Sequence, residues 1–397
     1  MLRGARVVLP QRVAEDLSVL VEDGRIARLS KSEESVRREA CAVLDLNGLT
    51  LFPGFIDVHI HGALGVDTME ASAFDLQRVA RFLASHGVTA WLPTFVPAPE
   101  EDYRRAARAA GQLFIEQQEH PAAARVLGVH YEGPFINRAQ CGALRPAYFR
   151  AFDDPSDLDP LATIENDGAV RMMTVAPEIE GGVELVRELR GRGWVVPLGH
   201  TRASVEVLDR ACEAGARHMT HFLNAMSPLH HRAPGPIGWG LLRDDVTCDL
   251  VADGVHSDRL MLRLVLRCKT AERLMLISDA VAPTGLGDGH YHIWGETITV
   301  SDGRTCNARG SIAGSVITMR DGVRMMLSLE VPATDVARMA AYNPARLLRV
   351  SEDCGSIEEG KRADLTALDD EGSVRLTLVG GRVAFDAARG PAVEPVR

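Results

Sequence analysis

Apolar and polar positions along this chain follow two different periods. Apolar runs of strand length recur at 54–61, 88–96, 125–132, 170–176, 194–200, 217–222, 246–252 and 273–279. Between several of them the apolar positions switch to helical spacing, as in Phe74-x-x-Gln77-x-x-Ala80-x-x-Leu83 and Val183-x-x-Val186-x-x-Leu189. The stretches 204–214 and 257–268 read the same way. Gly87, Gly193 and Gly215 stand where helices should end, each just before a strand. Eight strands alternating with helices predict an α/β protein, a (β/α)8 TIM-like barrel.

The two ends of the chain read differently. Arg6-Val7-Val8-Leu9, Ser18-Val19-Leu20-Val21 and Arg25-Ile26-Ala27-Arg28-Leu29 are strand-like, with Glu22-Asp23-Gly24 as the turn between the second and third. Residues 355–368 and 376–385 are again strands with turns. The N-terminal segment is too small for a core of its own. We therefore expect residues 1–52 and 350–397 to pair as one small β-sandwich domain beside a barrel spanning 53–349.

Composition narrows the setting. The chain has 397 residues, 25% charged and 46% hydrophobic, ordinary values for a soluble globular protein. Its net charge of −10 argues against nucleic acid or an anionic membrane as partner, and means that a phosphorylated substrate would need a locally positive pocket. The seven cysteines, at 41, 141, 212, 248, 268, 306 and 354, form no Cys-x-x-Cys and read as free thiols of a reducing compartment. The apolar stretch at the N-terminus is cut short by Pro10, and no run is long enough to span a membrane. The expected location is the cytoplasm.

Candidate chemistry sits at the ends of the apolar runs. Asp57, His59 and His61 alternate, which puts them on one face of a strand, and neutral imidazoles are common ligands for divalent metals. Further polar groups end other strands: His130 and Glu132, His200 and Thr201, His218, His221 and Asn224, Asp253 and His256, and Ser278 with Asp279. Singly, each has a structural use; His200 could cap the next helix and Asp279 could accept backbone amides. Barrel enzymes, however, carry their active sites at this rim. Histidines and carboxylates gathered there suit metal-assisted hydrolysis, in which an ion activates water and polarises a carbonyl while a carboxylate moves the proton. Glu132, His200 and His221 would form one three-ligand site with a position left open, and His59 and His61 would hold a second ion with Glu132 bridging. The identity of the ion stays open, because Zn2+, Fe2+ and Mn2+ all accept this donor set.

The segments Pro53-Gly-Phe-Ile-Asp-Val-His-Ile-His-Gly62, Glu132-Gly-Pro-Phe135, Gly199-His-Thr201, His221-Phe-Leu-Asn-Ala-Met226, Ala252-Asp-Gly-Val-His256 and Ser278-Asp-Ala280 carry a resemblance. In this order they resemble the N-acetylglucosamine-6-phosphate deacetylase family of the amidohydrolase superfamily, over about residues 5 to 385. The resemblance implies a metal-dependent barrel with a small β-sandwich, assembled as a homodimer. It implies that Glu132, His200 and His221 bind the catalytic metal, that His59 and His61 make a second ion feasible, and that Asp279 is the general acid/base. The sugar phosphate would be held by His256, by backbone amides near Asn224 and Ala225, and by the partner subunit's Arg232, whose planar guanidinium suits a phosphate.

This chain departs from the family at one position. The family has Gly-x-His about ten residues after Glu-Gly-Pro, a His thought to contact the acetyl carbonyl; here the stretch reads Gly142-Ala-Leu144-Arg145. Leucine has no donor. Three explanations stay open: the metals polarise the carbonyl alone, a side chain such as Arg145 takes over, or the protein is a paralogue that acts on another N-acyl substrate or works poorly. The implied reaction is deacetylation of N-acetylglucosamine 6-phosphate to glucosamine 6-phosphate and acetate. Its alternatives are deacylation of a different N-acetyl amino sugar or biosynthetic N-acyl intermediate, and an inactive paralogue that binds a sugar phosphate.

Overall fold

A computed structural model describes residues 1–15, 17–31, 42–119 and 123–389; Cys41 falls outside them. The eight apolar runs each contain a parallel strand: β1 (Phe55–Ile60), β2 (Val88–Phe95), β3 (Gly128–Glu132), β4 (Val170–Thr174), β5 (Pro197–Leu198), β6 (His218–Met219), β7 (Thr247–Val251) and β8 (Leu274–Ile277). Neighbours pair in sequence order from β1 to β4 and from β5 to β8. Bridges from Met172 to Val195 and from Val175 to Leu198 join the two halves. The ring closes where the Asp279 amide donates to the His59 carbonyl at 2.9 Å and Ser278 Oγ donates to Asp57 Oδ2 at 2.6 Å. Ile56, Leu92, Met172, Val251 and Ile277, from β1, β2, β4, β7 and β8, pack in one cluster with Val195, just before β5, and fill the interior of the ring.

The helices form where the spacing placed them. Ser72 caps the helix Ala73–Ser85 in a reciprocal pair with Asp75, and Ser204 caps Val205–Glu213. Gly182–Gly191 and Arg259–Lys269 follow the other two periodic stretches. Gly87, Gly193 and Gly215 all take left-handed φ at or just past the helix ends. At Gly87 a Cβ would also fall 2.8 Å from the Phe55 ring, so the position requires glycine twice over.

β5 and β6 are only two residues long, against predicted runs at 194–200 and 217–222. His200 and His221 have φ of +48° and +32°, which turns the backbone out of ladder geometry just past each strand. A second departure follows β8. Gly289–Ile293, Glu296–Ser301 and Arg304–Cys306 make a three-stranded antiparallel sheet that the periodicity did not announce.

The two ends of the chain share a sheet. Thr50–Pro53 pairs in parallel with Arg6–Val8 on one side and antiparallel with Leu365–Leu368 on the other, within a six-stranded sheet. A four-stranded sheet of Arg25–Ser30, Ser18–Glu22, Leu2–Arg3 and Leu44–Asp45 lies beside it. Val7, Val19, Ile26, Leu51, Leu365 and Leu378 form the common core of the sandwich. Arg125, at the foot of β3, reaches the buried Asp364 of this unit at 2.8 Å. The six cysteines among the described residues are all free. No helix among them is long and apolar enough to cross a membrane.

Candidate active site

The ends of β1 and β3 and the turns that follow β5, β6 and β8 bring the predicted residues to one end of the barrel. Glu132 closes β3, and its Oε1 lies 2.8 Å from His200 Nε2 and 3.0 Å from His221 Nε2. The two imidazole nitrogens are themselves 3.1 Å apart. Beside them His59 Nε2 and His61 Nε2 stand 3.1 Å from each other, and Asp279 Oδ1 lies 3.4 Å from the first and 3.3 Å from the second. Glu132 Oε2 reaches His61 at 3.3 Å, so this carboxylate sits between both trios. All six side chains are buried. His200, His221 and Asp279 all have positive φ, conformations that non-glycine residues adopt only when the surroundings hold them.

The donor set fits a divalent cation. Glu132, His200 and His221 offer one ligand atom each within 4.8 Å of one another, and so do His59, His61 and Asp279. The Nε2 atoms stand in pairs 3.1 Å apart beside the carboxylate oxygens, an arrangement in which a shared cation would accept a lone pair from each. Electrostatics point the same way. Burial would raise Glu132, but the surrounding histidines hold it well below the usual carboxylate range. Burial would lower His61 and His221, yet Asp279 and Glu132 drive the first up to about 10, and Glu132 foremost drives the second up to about 9. The pocket thus favours added positive charge, which a metal supplies when the ligands are deprotonated.

Surrounding groups orient the ligands. His200 Nδ1 bonds the Gln140 carbonyl at 2.6 Å, which leaves Nε2 free to face Glu132. His130 does not join the ligands; it bonds the Val58 carbonyl at 2.9 Å and Thr174 Oγ1 at 2.8 Å, its ring edge-on to His59. Asp57 is likewise used up across the β1–β8 seam by Ser278. Asp249, inside β7, accepts the His221 amide and bonds His218 Nε2 at 2.9 Å. Nothing in the spacing singles out Asp249, because a lone acid in an apolar strand reads as an outward-facing residue.

A cavity of about 240 Å³ opens onto both trios. Asn224, Ala225 and His256 line it, as do Leu144 and, from the region after β8, Trp294, Ser311 and Ile312. His256 Nδ1 is held by Asp253 at 2.6 Å, which leaves its other nitrogen for a ligand. Asn224 Nδ2 is buried without a partner. Arg232 does not line this cavity; it lies on an exposed loop with its guanidinium 2.8 Å from His231 Nε2. Arg145 does not line it either, since its guanidinium donates to the Pro97 carbonyl at 3.3 Å and covers the Tyr148 ring.

Residues 50–384 match the amidohydrolase family. The chain is 34% identical to the N-acetylglucosamine-6-phosphate deacetylase of Bacillus subtilis (strain 168) over 390 residues, 97% of each chain. It is also 34% identical to the N-acetylgalactosamine-6-phosphate deacetylase of Escherichia coli O157:H7, covering 97% of this chain and 99% of that one. Among solved structures, a variant of the Mycobacterium smegmatis N-acetyl-D-glucosamine-6-phosphate deacetylase in complex with N-acetyl-D-glucosamine-6-phosphate superposes with a TM-score of 0.85 at 30% identity, covering 96% of this chain and 98% of that one. The chain belongs to the amidohydrolase family, within the N-acetylglucosamine-6-phosphate deacetylase group that its motifs resemble.

Proposed function

We propose that this protein hydrolyses the acetamide of N-acetylglucosamine 6-phosphate to glucosamine 6-phosphate and acetate, as an enzyme of amino-sugar metabolism. The observation that carries the reading is a carboxylate, Asp279 Oδ1, set 3.3–3.4 Å from two buried histidines on the wall of a cavity that also holds the Glu132 trio. When bound, a divalent ion supplies polarisation of the amide carbonyl and activation of water. Glu132, His200 and His221 hold the first ion in this reading, and His59 and His61 a second beside Asp279; zinc suits the donors best, with iron or manganese as substitutes.

The remaining steps belong to the chain itself. Asp279 accepts the proton of the attacking water and returns it to the departing amine, which leaves neutral as the C–N bond breaks. His256, aimed by Asp253, and the backbone at Asn224 and Ala225 receive the phosphate and so set the acetamide at the trios. The partner subunit's Arg232 completes the phosphate site, which makes the working unit a homodimer. Leu144 adds no donor, and with Arg145 turned to Pro97 and Tyr148, carbonyl polarisation would be left to a bound ion. In this reading residues 53–349 are the hydrolase unit, residues 1–52 and 350–397 buttress it, and the enzyme works in the cytoplasm.

The test is acetate release from N-acetylglucosamine 6-phosphate, run beside its galacto epimer and the unphosphorylated sugar. Turnover of the 6-phosphates with little on the free sugar is expected. Brisk turnover of an unphosphorylated amide with none of either 6-phosphate would overturn the assignment.

A further inference from the structure

The hairpin that follows β8 places an unusual residue over the site. The turn between Gly289–Ile293 and Glu296–Ser301 has only two residues, Trp294 and Gly295, since Ile293 already pairs with Glu296. Both have positive φ, +54° and +76°. This geometry favours Asn-Gly or Gly-Gly and penalises a bulky first residue. The tryptophan is nevertheless 9% exposed, its ring edge-on to His61 with centroids 5.2 Å apart. Its indole Nε1 is buried with no hydrogen-bond partner. Left-handed backbone and an unpaired buried donor both work against this side chain, and both occur at the wall of the cavity, where such outliers point to function.

The same wall is braced from the other side. Arg309, downstream in the same region, donates to the Ala143 carbonyl at 3.1 Å and pairs with Glu296 at 3.3 Å, which ties the hairpin to the loop carrying Leu144. The polar lining, Asn224 and His256, lies on other strand ends. A scissile carbonyl must sit at the histidines, and a sugar phosphate takes the polar lining. What remains for the acyl substituent is the apolar lining of Leu144, Ile312 and Trp294, the last in direct contact with His61.

We propose that Trp294 is a specificity-determining residue that limits the length of the acyl chain removed, its indole walling the acyl end of the cavity with Leu144 and Ile312. The inference rests on the deacylation reading above. The test compares kcat/KM for N-acetyl, N-propionyl and N-butyryl glucosamine 6-phosphate in the metal-loaded wild type, Trp294→Gly and Trp294→Phe. Glycine suits the positive φ and opens the wall, so the acetyl-over-butyryl preference should fall by about tenfold or more, the size of effect that one or two methylenes produce in an apolar pocket. Phenylalanine should lower it less. Calorimetry in an Asp279→Asn background, in which turnover is slowed by about 10² or more, should show N-butyryl substrate gaining affinity relative to N-acetyl when Trp294 is replaced. An equal loss for all three acyl lengths, or an unchanged preference in both variants, overturns the gate while leaving deacylation standing. Failure of the wild type on every N-acyl sugar phosphate overturns the reading beneath it.

Discussion

His59 Nε2 and Asp279 Oδ1 lie 3.4 Å apart across the seam where the first and last strands of the barrel meet. The Asp279 amide donates to the His59 carbonyl, so closing the barrel and assembling the second trio are one event. In the reading proposed above Asp279 therefore has two uses, as a proton carrier and as a neighbour of the His59–His61 pair.

Asp279→Asn separates them. The amide keeps the shape but cannot accept a proton from water. We expect kcat to fall by about 10² or more, while elemental analysis still finds one ion per subunit at Glu132, His200 and His221. A kcat close to that of the wild type would remove the carboxylate from the mechanism.

His221→Ala takes away a ligand directly. The Glu132 trio would keep two donors, and the purified variant should lose metal and activity together. Full metal content and normal turnover in this variant would move the ion elsewhere.

Leu144 is buried in the cavity wall with no donor to offer. Leu144→His should raise kcat/KM on N-acetylglucosamine 6-phosphate several-fold, since a donor to developing charge is worth on the order of 2–4 kcal/mol. The polar edge should at the same time reduce turnover of longer acyl chains. A drop on the acetyl substrate would show that Leu144 serves only as a wall.

The bond between Arg125 and Asp364 is a stability prediction. Burial would raise the Asp364 carboxyl, but Arg125 and Arg362 outweigh it and hold the group below its ordinary 3.8. A depressed folded pKa contributes stability that is present above the unfolded value and lost as pH falls through the folded one. Asp364→Asn leaves Arg125 largely buried and unpaired, so urea denaturation at pH 7 should show a loss of about 3–5 kcal/mol. The gap should narrow below about pH 4, as the wild-type carboxyl takes up its proton. A gap of constant size down to pH 3 would mean that the charge is not the cause.

Much of this architecture could be read from residue spacing alone, for a physical reason. Barrel strands are buried on both faces, so they appear as apolar runs, and a polar residue that ends such a run stands out; Glu132, His200, His221 and Asp279 were visible on that basis. The truncation of β5 and β6 was not, because nothing in the residue types His200 and His221 announces left-handed backbone. The region after β8 was missed for the opposite reason. Trp294-Gly295 breaks the composition expected of a two-residue turn, and only burial against His61 makes it tolerable. Arg232 was expected to serve a phosphate, and within one subunit it faces solvent beside His231.

The strand Thr50–Pro53 has an early neighbour, Arg6–Val8, and a late one, Leu365–Leu368. During synthesis the first strands must wait for more than three hundred residues before their sheet can be completed. The barrel strands can meanwhile pair in order as they emerge, each beside the one before it. The nascent chain therefore exposes an unpaired edge of Thr50–Pro53 until synthesis is nearly over, and pairing of that edge with another chain is the hazard that a delay or a truncation before Leu365 would create.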